Sequence, residues 1–227
     1  MKIIVLGDAR TGSTKLCSVL AKLFNLSDLE EPWYYNHMPA VNSRNILRVS
    51  DILRRDNFVV KFLFHNFMHL ADIPQSAHIF PIDLTTIDWT IPDFVLATRR
   101  RDITDCFLSF MVALKRNAFV RVTGQSVDTT PIHVDPKKID IWLKYHSPLS
   151  SDKLLDEIQA LRKKPIPFFD YEDICDDPVL LRIIQELGVD LVTTDMTIGS
   201  LPTEIDYRKV CLNYEEIVQE FKRRNLQ

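Results

Sequence analysis

Gly7-Asp8-Ala9-Arg10-Thr11-Gly12-Ser13-Thr14 decides the fold because of what flanks it. Before it, Lys2–Leu6 is a short, β-branched, apolar run of the kind that forms a strand buried on both faces. After it, Leu16, Val19, Leu20 and Leu23 recur at helical spacing and predict a helix from about Ser13 to Phe24. A buried strand that meets a glycine and turns straight into a helix is the setting of a nucleotide phosphate loop. Both glycines and the final threonine match G-x-x-x-x-G-K-[ST], but Ser13 stands where that pattern has lysine. Backbone N–H groups and the helix N-terminus still form a concave, positive nest for a phosphate. The cation that reaches the β- and γ-phosphates of a nucleoside triphosphate is missing, and Lys15 comes one residue late. The apolar strand Asp93–Thr98 runs into arginines rather than a magnesium-holding carboxylate. The loop therefore reads as built for a nucleotide whose transferred group needs no metal. A plain strand-to-helix turn capped by Ser or Thr is the alternative.

Outward from the loop, Phe58–Phe64, Asp93–Thr98 and Pro165–Asp170 are further strand candidates, and helical patterns lie between them. One helix is weakly signalled near Phe67–Leu70 and another clearly from about Ile103 to Arg116. Lys138–Lys163 is amphipathic, with Pro148 breaking or kinking it; Pro178–Leu187 ends at Gly188, and Tyr214–Arg224 closes the chain. Strands alternating with helices predict an α/β class with a parallel sheet. Without repeats or a linker, residues 1–227 read as one domain.

The charge balance of 28 basic against 31 acidic residues leaves −3, too acidic for binding nucleic acid or an anionic membrane through bulk charge. Any anion site must be local. No run approaches the ~18 apolar residues of a membrane helix, and Asp8 and Arg10 interrupt the first apolar run too soon for a signal peptide. Cys17, Cys106, Cys175 and Cys211 are scattered, with no C-x-x-C pair, and read as reduced thiols in a cytoplasmic protein rather than as zinc ligands.

A second anion site is predicted where Arg99-Arg100-Arg101-Asp102 follows the Asp93–Thr98 strand. Ser109 lies eight positions after Arg101, about two turns on if the helix starts early. A guanidinium and a hydroxyl at the end of a parallel strand can grip a second phosphate. Its alternative is a solvated basic corner paired with Asp102 and Asp105.

Together these segments resemble a known family. Arg10-Thr-Gly-Ser-Thr14 is similar to the 5′-phosphosulfate loop of the sulfotransferases, [RK]-[ST]-G-[ST]-T, and Arg101-Asp-Ile-Thr-Asp-Cys-Phe-Leu-Ser109 to their 3′-phosphate motif, R-[DN]-x-x-D-x-x-x-S. Tyr171-Glu-Asp-Ile174, Asp177-Pro178 and Glu186-Leu-Gly188 resemble the family's Y-E-D-L…D-P…F-L-G stretch, and Asn213-Tyr-Glu-Glu216 the tail of bacterial carbohydrate sulfotransferases. The resemblance implies a P-loop-type three-layer fold, a central parallel sheet flanked by helices. It implies 3′-phosphoadenosine 5′-phosphosulfate (PAPS) as sulfuryl donor, adenosine 3′,5′-bisphosphate (PAP) as product, and no metal. It further implies that Thr11, Gly12, Ser13 and Thr14 hold the 5′-phosphosulfate, with Arg10 beside the bridging oxygen. Arg101 and Ser109 would hold the 3′-phosphate, and Tyr171 would meet the adenine. The chain departs from the cytosolic steroid and phenol enzymes in carrying Arg10 where they have lysine, and in lacking their R-K-G-x-x-G segment.

Sulfuryl transfer to a hydroxyl wants a base at the acceptor. Glu31, with Glu30 as its rival, stands at an offset from the loop similar to the base of the tyrosylprotein sulfotransferases. His65 resembles the histidine of the K-T-H motif of the cytosolic enzymes, with Lys61 an additional cation toward the site. The reading favours Glu31. Two functions compete with it: a small-molecule or nucleotide kinase with a degenerate phosphate loop, and a non-catalytic nucleotide-binding module. The acceptor, a small-molecule, carbohydrate or lipid hydroxyl, would be chosen by loops near Pro32–Arg48 and Phe110–Lys137. The first of these carries Trp33, Tyr34, Tyr35 and His37.

Overall fold

The computed structural model describes residues 1–8, 10–29, 49–64, 87–116, 128–146, 148–195 and 205–226. Its centre is a five-stranded, all-parallel sheet: β1 (Lys2–Gly7), β2 (Ser27–Asp28), β3 (Phe58–Leu63), β4 (Phe94–Arg99) and β5 (Phe168–Asp170), in the order β2-β3-β1-β4-β5. β1 lies in the middle because residues 3–6 are fully buried on both faces, which only strands between two neighbours and two helical layers achieve. Alternation along the strands sorts the core. Ile4, Leu6, Val60, Phe62, Val95 and Ala97 face one layer, which includes Leu155 and Ile158. Ile3, Val5, Val59 and Leu96 face the other, built from Leu16, Leu20, Leu180 and Ile184.

Helix α1 (Ser13–Phe24) follows β1 and covers the second face, joined there by α7 (Asp177–Gln185). On the first face lie α2 (Val49–Leu53) and α5 (Pro148–Arg162), the latter following α4 (Lys138–His146) in the chain. Helix α3 (Ile103–Arg116) leaves β4 and packs with α4, α8 (Tyr207–Val210) and α9 (Tyr214–Arg223) in a third cluster. Phe107, Trp142 and Phe221 meet there with ring centroids 5.5–6.3 Å apart. The short α6 (Tyr171–Cys175) continues directly from β5. The result is the three-layer α/β architecture of the P-loop type.

One strand is shorter than in the sequence reading. Only Phe168–Asp170 of the Pro165–Asp170 stretch is strand, because neither Pro165 nor Pro167 has an N–H for the ladder; the Pro167 carbonyl still accepts from Ala97 N at 2.9 Å. Helix α3 spans the predicted Ile103–Arg116 and does not start early enough to include Arg101. Asp102 caps it, its side chain accepting from Asp105 N at 2.8 Å, so Arg101 stands outside the helix. The four cysteines are free thiols. Among the described residues no helix is long and apolar enough to cross a membrane.

Strand order places the site. From β1 the chain moves to one side of the sheet for β2 and β3, then to the other for β4 and β5. The crevice outside the C-terminal ends of β1 and β4 is thus a topological switch point, where open parallel sheets bind ligands. Both sequence motifs begin at it.

Candidate functional site

The loop after β1 is held by small hydroxyls. Thr11 Oγ1 donates to the Asp8 carbonyl at 2.7 Å and shares a 2.7 Å hydrogen bond with Thr98 Oγ1 of β4. This bridge runs over Gly7, where a Cβ would collide with Thr98 Oγ1. Arg10 and Gly12 both have left-handed backbones, φ 73° and 81°. Gly12 is the N-cap of α1, and glycine has no side chain with which to satisfy the helix's first N–H groups. The plain Ser/Thr-capped turn is not what forms. Ser13 and Thr11 are buried within the loop, and Thr14 Oγ1 accepts from Lys61 Nζ at 2.7 Å. Lys61 comes from β3, on the face that α1 covers, and is only 6% exposed. A cation thus reaches the loop from the neighbouring strand although Ser13 replaces the loop lysine. Lys15 does not fill that role: its ammonium is 2.6 Å from Asp177 at the start of α7.

Arg10 Nε donates to Ser109 Oγ at 2.9 Å. This contact joins two motifs 99 residues apart, one on the loop after β1 and the other on α3. Tyr171 closes the same side. A Cβ at Gly12 would stand 3.1 Å from Tyr171 Cδ2 and 3.3 Å from Ile174 Cδ1, so the ring lies on the glycine. The Arg100 guanidinium sits 4.3 Å from the centroid of that ring, and burial pushes the Tyr171 phenol well above its ordinary range.

The arginine triplet divides. Arg100 is the buried member, between Tyr171 and Tyr207 and 3.5 Å from Asp105. Arg99 and Arg101 flank Asp170 at the end of β5, at 2.6 and 2.8 Å, and Arg101 also reaches Asp173 at 2.8 Å. Burial works to raise the Asp170 carboxyl, but its bonds to Arg99 and Arg101 outweigh it and hold it below the usual carboxylate range. Of the basic-corner alternative, the Asp105 pairing is present, at Arg100, but Asp102 serves as helix cap, and Arg99 and Arg101 meet Asp170 and Asp173 instead, 69 or more residues away. Arg101 and Ser109 are therefore engaged by different partners here. A phosphate taken by Arg101 would exchange with carboxylates, an anion-for-anion replacement at a half-exposed guanidinium.

Glu30, Glu31 and His65 lie outside the described residues, as do Trp33, Tyr34, Tyr35, His37 and most of the segment between Arg116 and Lys137. Among the described residues, no His, Cys, Asp and Glu side chains gather into a group that could hold a metal ion. One residue of the loop was passed over in the sequence: Asp8, buried, accepting from Ser151 of α5 at 3.0 Å. The signal was a carboxylate directly after the central apolar strand. Cys106 of α3, also buried here, has its thiol pushed up to about 12 by burial, which makes it an inert packing group.

Compared with models of known families, with curated proteins and with solved structures, the chain matches none of them. The arrangement must speak through its chemistry. At one switch point it collects a helix N-terminus without a side-chain cap, a left-handed arginine, a lysine against the loop threonine and a second arginine cluster. Helix N-termini and guanidinium groups of this kind are the groups that bind anions.

Proposed function

We propose that the protein transfers a sulfuryl group from PAPS to a hydroxyl acceptor and releases PAP. The observation that carries this reading is the Arg10–Ser109 hydrogen bond of 2.9 Å, which unites the two motifs resembling the family's 5′- and 3′-anion sites. Tyr171 resting on Gly12 brings the third motif to the same loop. The fit to a doubly anionic nucleotide is chemical. One terminal phosphate meets the N–H groups that open α1, and the other meets the arginines that follow β4.

On this reading the loop N–H groups and Thr14 bind the 5′-phosphosulfate, and Lys61 adds charge behind them. Glu31 accepts the proton of the acceptor hydroxyl as that oxygen attacks sulfur. Arg10 offsets the negative charge that grows on the bridging oxygen when the sulfur–oxygen bond to the phosphate breaks. Arg101 exchanges Asp170 and Asp173 for the 3′-phosphate. The acceptor classes are small-molecule, carbohydrate and lipid hydroxyls, and the setting proposed is cytoplasmic.

A screen of radiolabelled PAPS over those acceptor classes, with excess chelator, tests the reading: label should appear in one class. Label that stays in the donor with every class would speak for a binding module, and transfer from ATP–magnesium instead would make it a kinase. Arg101→Ala should weaken PAP binding by about 1.5–3 kcal/mol, the scale of a hydrogen bond to a charged group. The lower end is expected, because Arg101 gives up existing carboxylate partners. PAP affinity unchanged by Arg101→Ala in a titration would remove Arg101 from the site.

A further inference from the structure

Asp8 stands at the root of the loop, between the last residue of β1 and Arg10. Alternation along β1 turns its side chain to the face of Ile4 and Leu6, the face that α5 covers. There Ser151 Oγ donates to Asp8 Oδ2 at 3.0 Å, while Oδ1 is buried and has no hydrogen-bond partner among the described residues. The backbone of the same residue is stitched to the nest through Thr11 Oγ1. A carboxylate in that position is unfavourable on two counts. It is desolvated, and it lies at the base of a cradle for another anion.

Among the described residues, the groups that act on it do not outweigh its burial. Ser151 favours the charged form by donating, but burial dominates and Asp152, the next residue of α5, adds a like charge. From α3 comes Cys106, an un-ionised thiol that feels both Asp8 and Arg10. Arg10 directs its Nε to Ser109. The sum pushes the Asp8 carboxyl up to about 7. A dianion brought within a loop's width, in a medium of effective dielectric about 20, would raise it by about one further unit or more.

We infer that the loop takes up its anion together with a proton, which is held on the Asp8 carboxyl. The inference rests on the loop being the phosphate site proposed above. The proton comes from solvent, no covalent bond other than the O–H changes, and Asp8 is a positioning residue rather than one that touches the reacting atoms. Donor affinity then falls as the pH rises above about 7. Folding stability follows the same logic. The folded carboxyl ionises near 7 and the unfolded one near 3.8, so stability is greatest below the lower value and declines as pH rises towards the higher. Asp8→Asn should accordingly have a higher Tm than the parent protein above about pH 7.

The test is calorimetric titration of the full chain with PAP, without magnesium, at about pH 8 in two buffers of different ionisation enthalpy. More than about half a proton should be taken up, and between about pH 7 and 8.5 the Kd should rise by about three- to tenfold per unit. In Asp8→Asn both effects should vanish; the titration of PAP's own phosphates is common to the two proteins and cancels in the difference. Ser151→Ala removes the donor that favours the charged form, so the fall in affinity should move to higher pH, which a merely structural role would not cause. Equal proton uptake in the parent protein and Asp8→Asn overturns the inference and leaves the phosphate site standing. Should Asp8→Asn fail to fold, proton release or no uptake by the parent protein overturns it alone. PAP that binds at no pH overturns the phosphate-loop reading and this inference with it.

Discussion

Arg10→Ala is expected to lower kcat by about 10²–10³-fold, the loss that follows removal of one preorganised donor from a developing oxyanion. Affinity for PAP should fall by less than about tenfold, because Arg10 acts mainly on charge that appears only during transfer. The local structure explains why this residue is held for such a task. Its backbone is left-handed, φ 73°, a conformation that costs a non-glycine residue of order 1 kcal/mol. The Ser109 bond and the Thr11–Thr98 bridge hold the segment there. Single-turnover rates beside PAP titrations separate the two effects. If PAP affinity collapses while kcat stays near that of the parent protein, Arg10 is a binding residue and the role proposed for it is wrong.

Glu31→Gln carries the larger expected loss, about 10²–10⁴-fold in kcat. A sugar or lipid hydroxyl is a poor nucleophile at neutral pH, and glutamine keeps the shape and one acceptor of glutamate while removing its basicity. PAP binding should stay within about threefold, since only an interaction of the transition state is lost. A phenolic acceptor, more acidic from the start, would shrink the loss. His65→Asn is the control and should cost little. A full-rate Glu31→Gln enzyme beside an inactive His65→Asn enzyme would transfer the role to the histidine.

The sheet was legible where the chain repeats itself. β1, β3 and β4 are six-residue strands that are mostly apolar, and α1 and α3 occupy the ranges their periodicity predicts, because one buried face fixes the spacing of the large side chains. β2, α6 and α8 were not, since two, five and four residues are too few to show a period. Around the loop, the motifs that resemble the family singled out Arg10, Ser109 and Tyr171, which the fold brings together, but not their partners. Arg101 meets Asp170 and Asp173 because β4 and β5 pair with Arg99 opposite Asp170, a register no local pattern encodes. The state of Asp8 was hidden for a similar reason. Its burial depends on α5, more than 140 residues away in sequence, and only the folded chain brings Ser151 onto it.

The central claim is that this cleft holds a nucleotide with two anionic ends through protein groups. Titration of the full chain with PAP in the presence of a chelator, beside ATP with magnesium, tests it most directly. The account predicts saturable PAP binding that magnesium leaves unchanged, weakened by Arg101→Ala, and at least tenfold tighter than ATP–magnesium, a difference of about 1.4 kcal/mol. Tighter binding of ATP–magnesium, with PAP no better than inorganic phosphate, would contradict it.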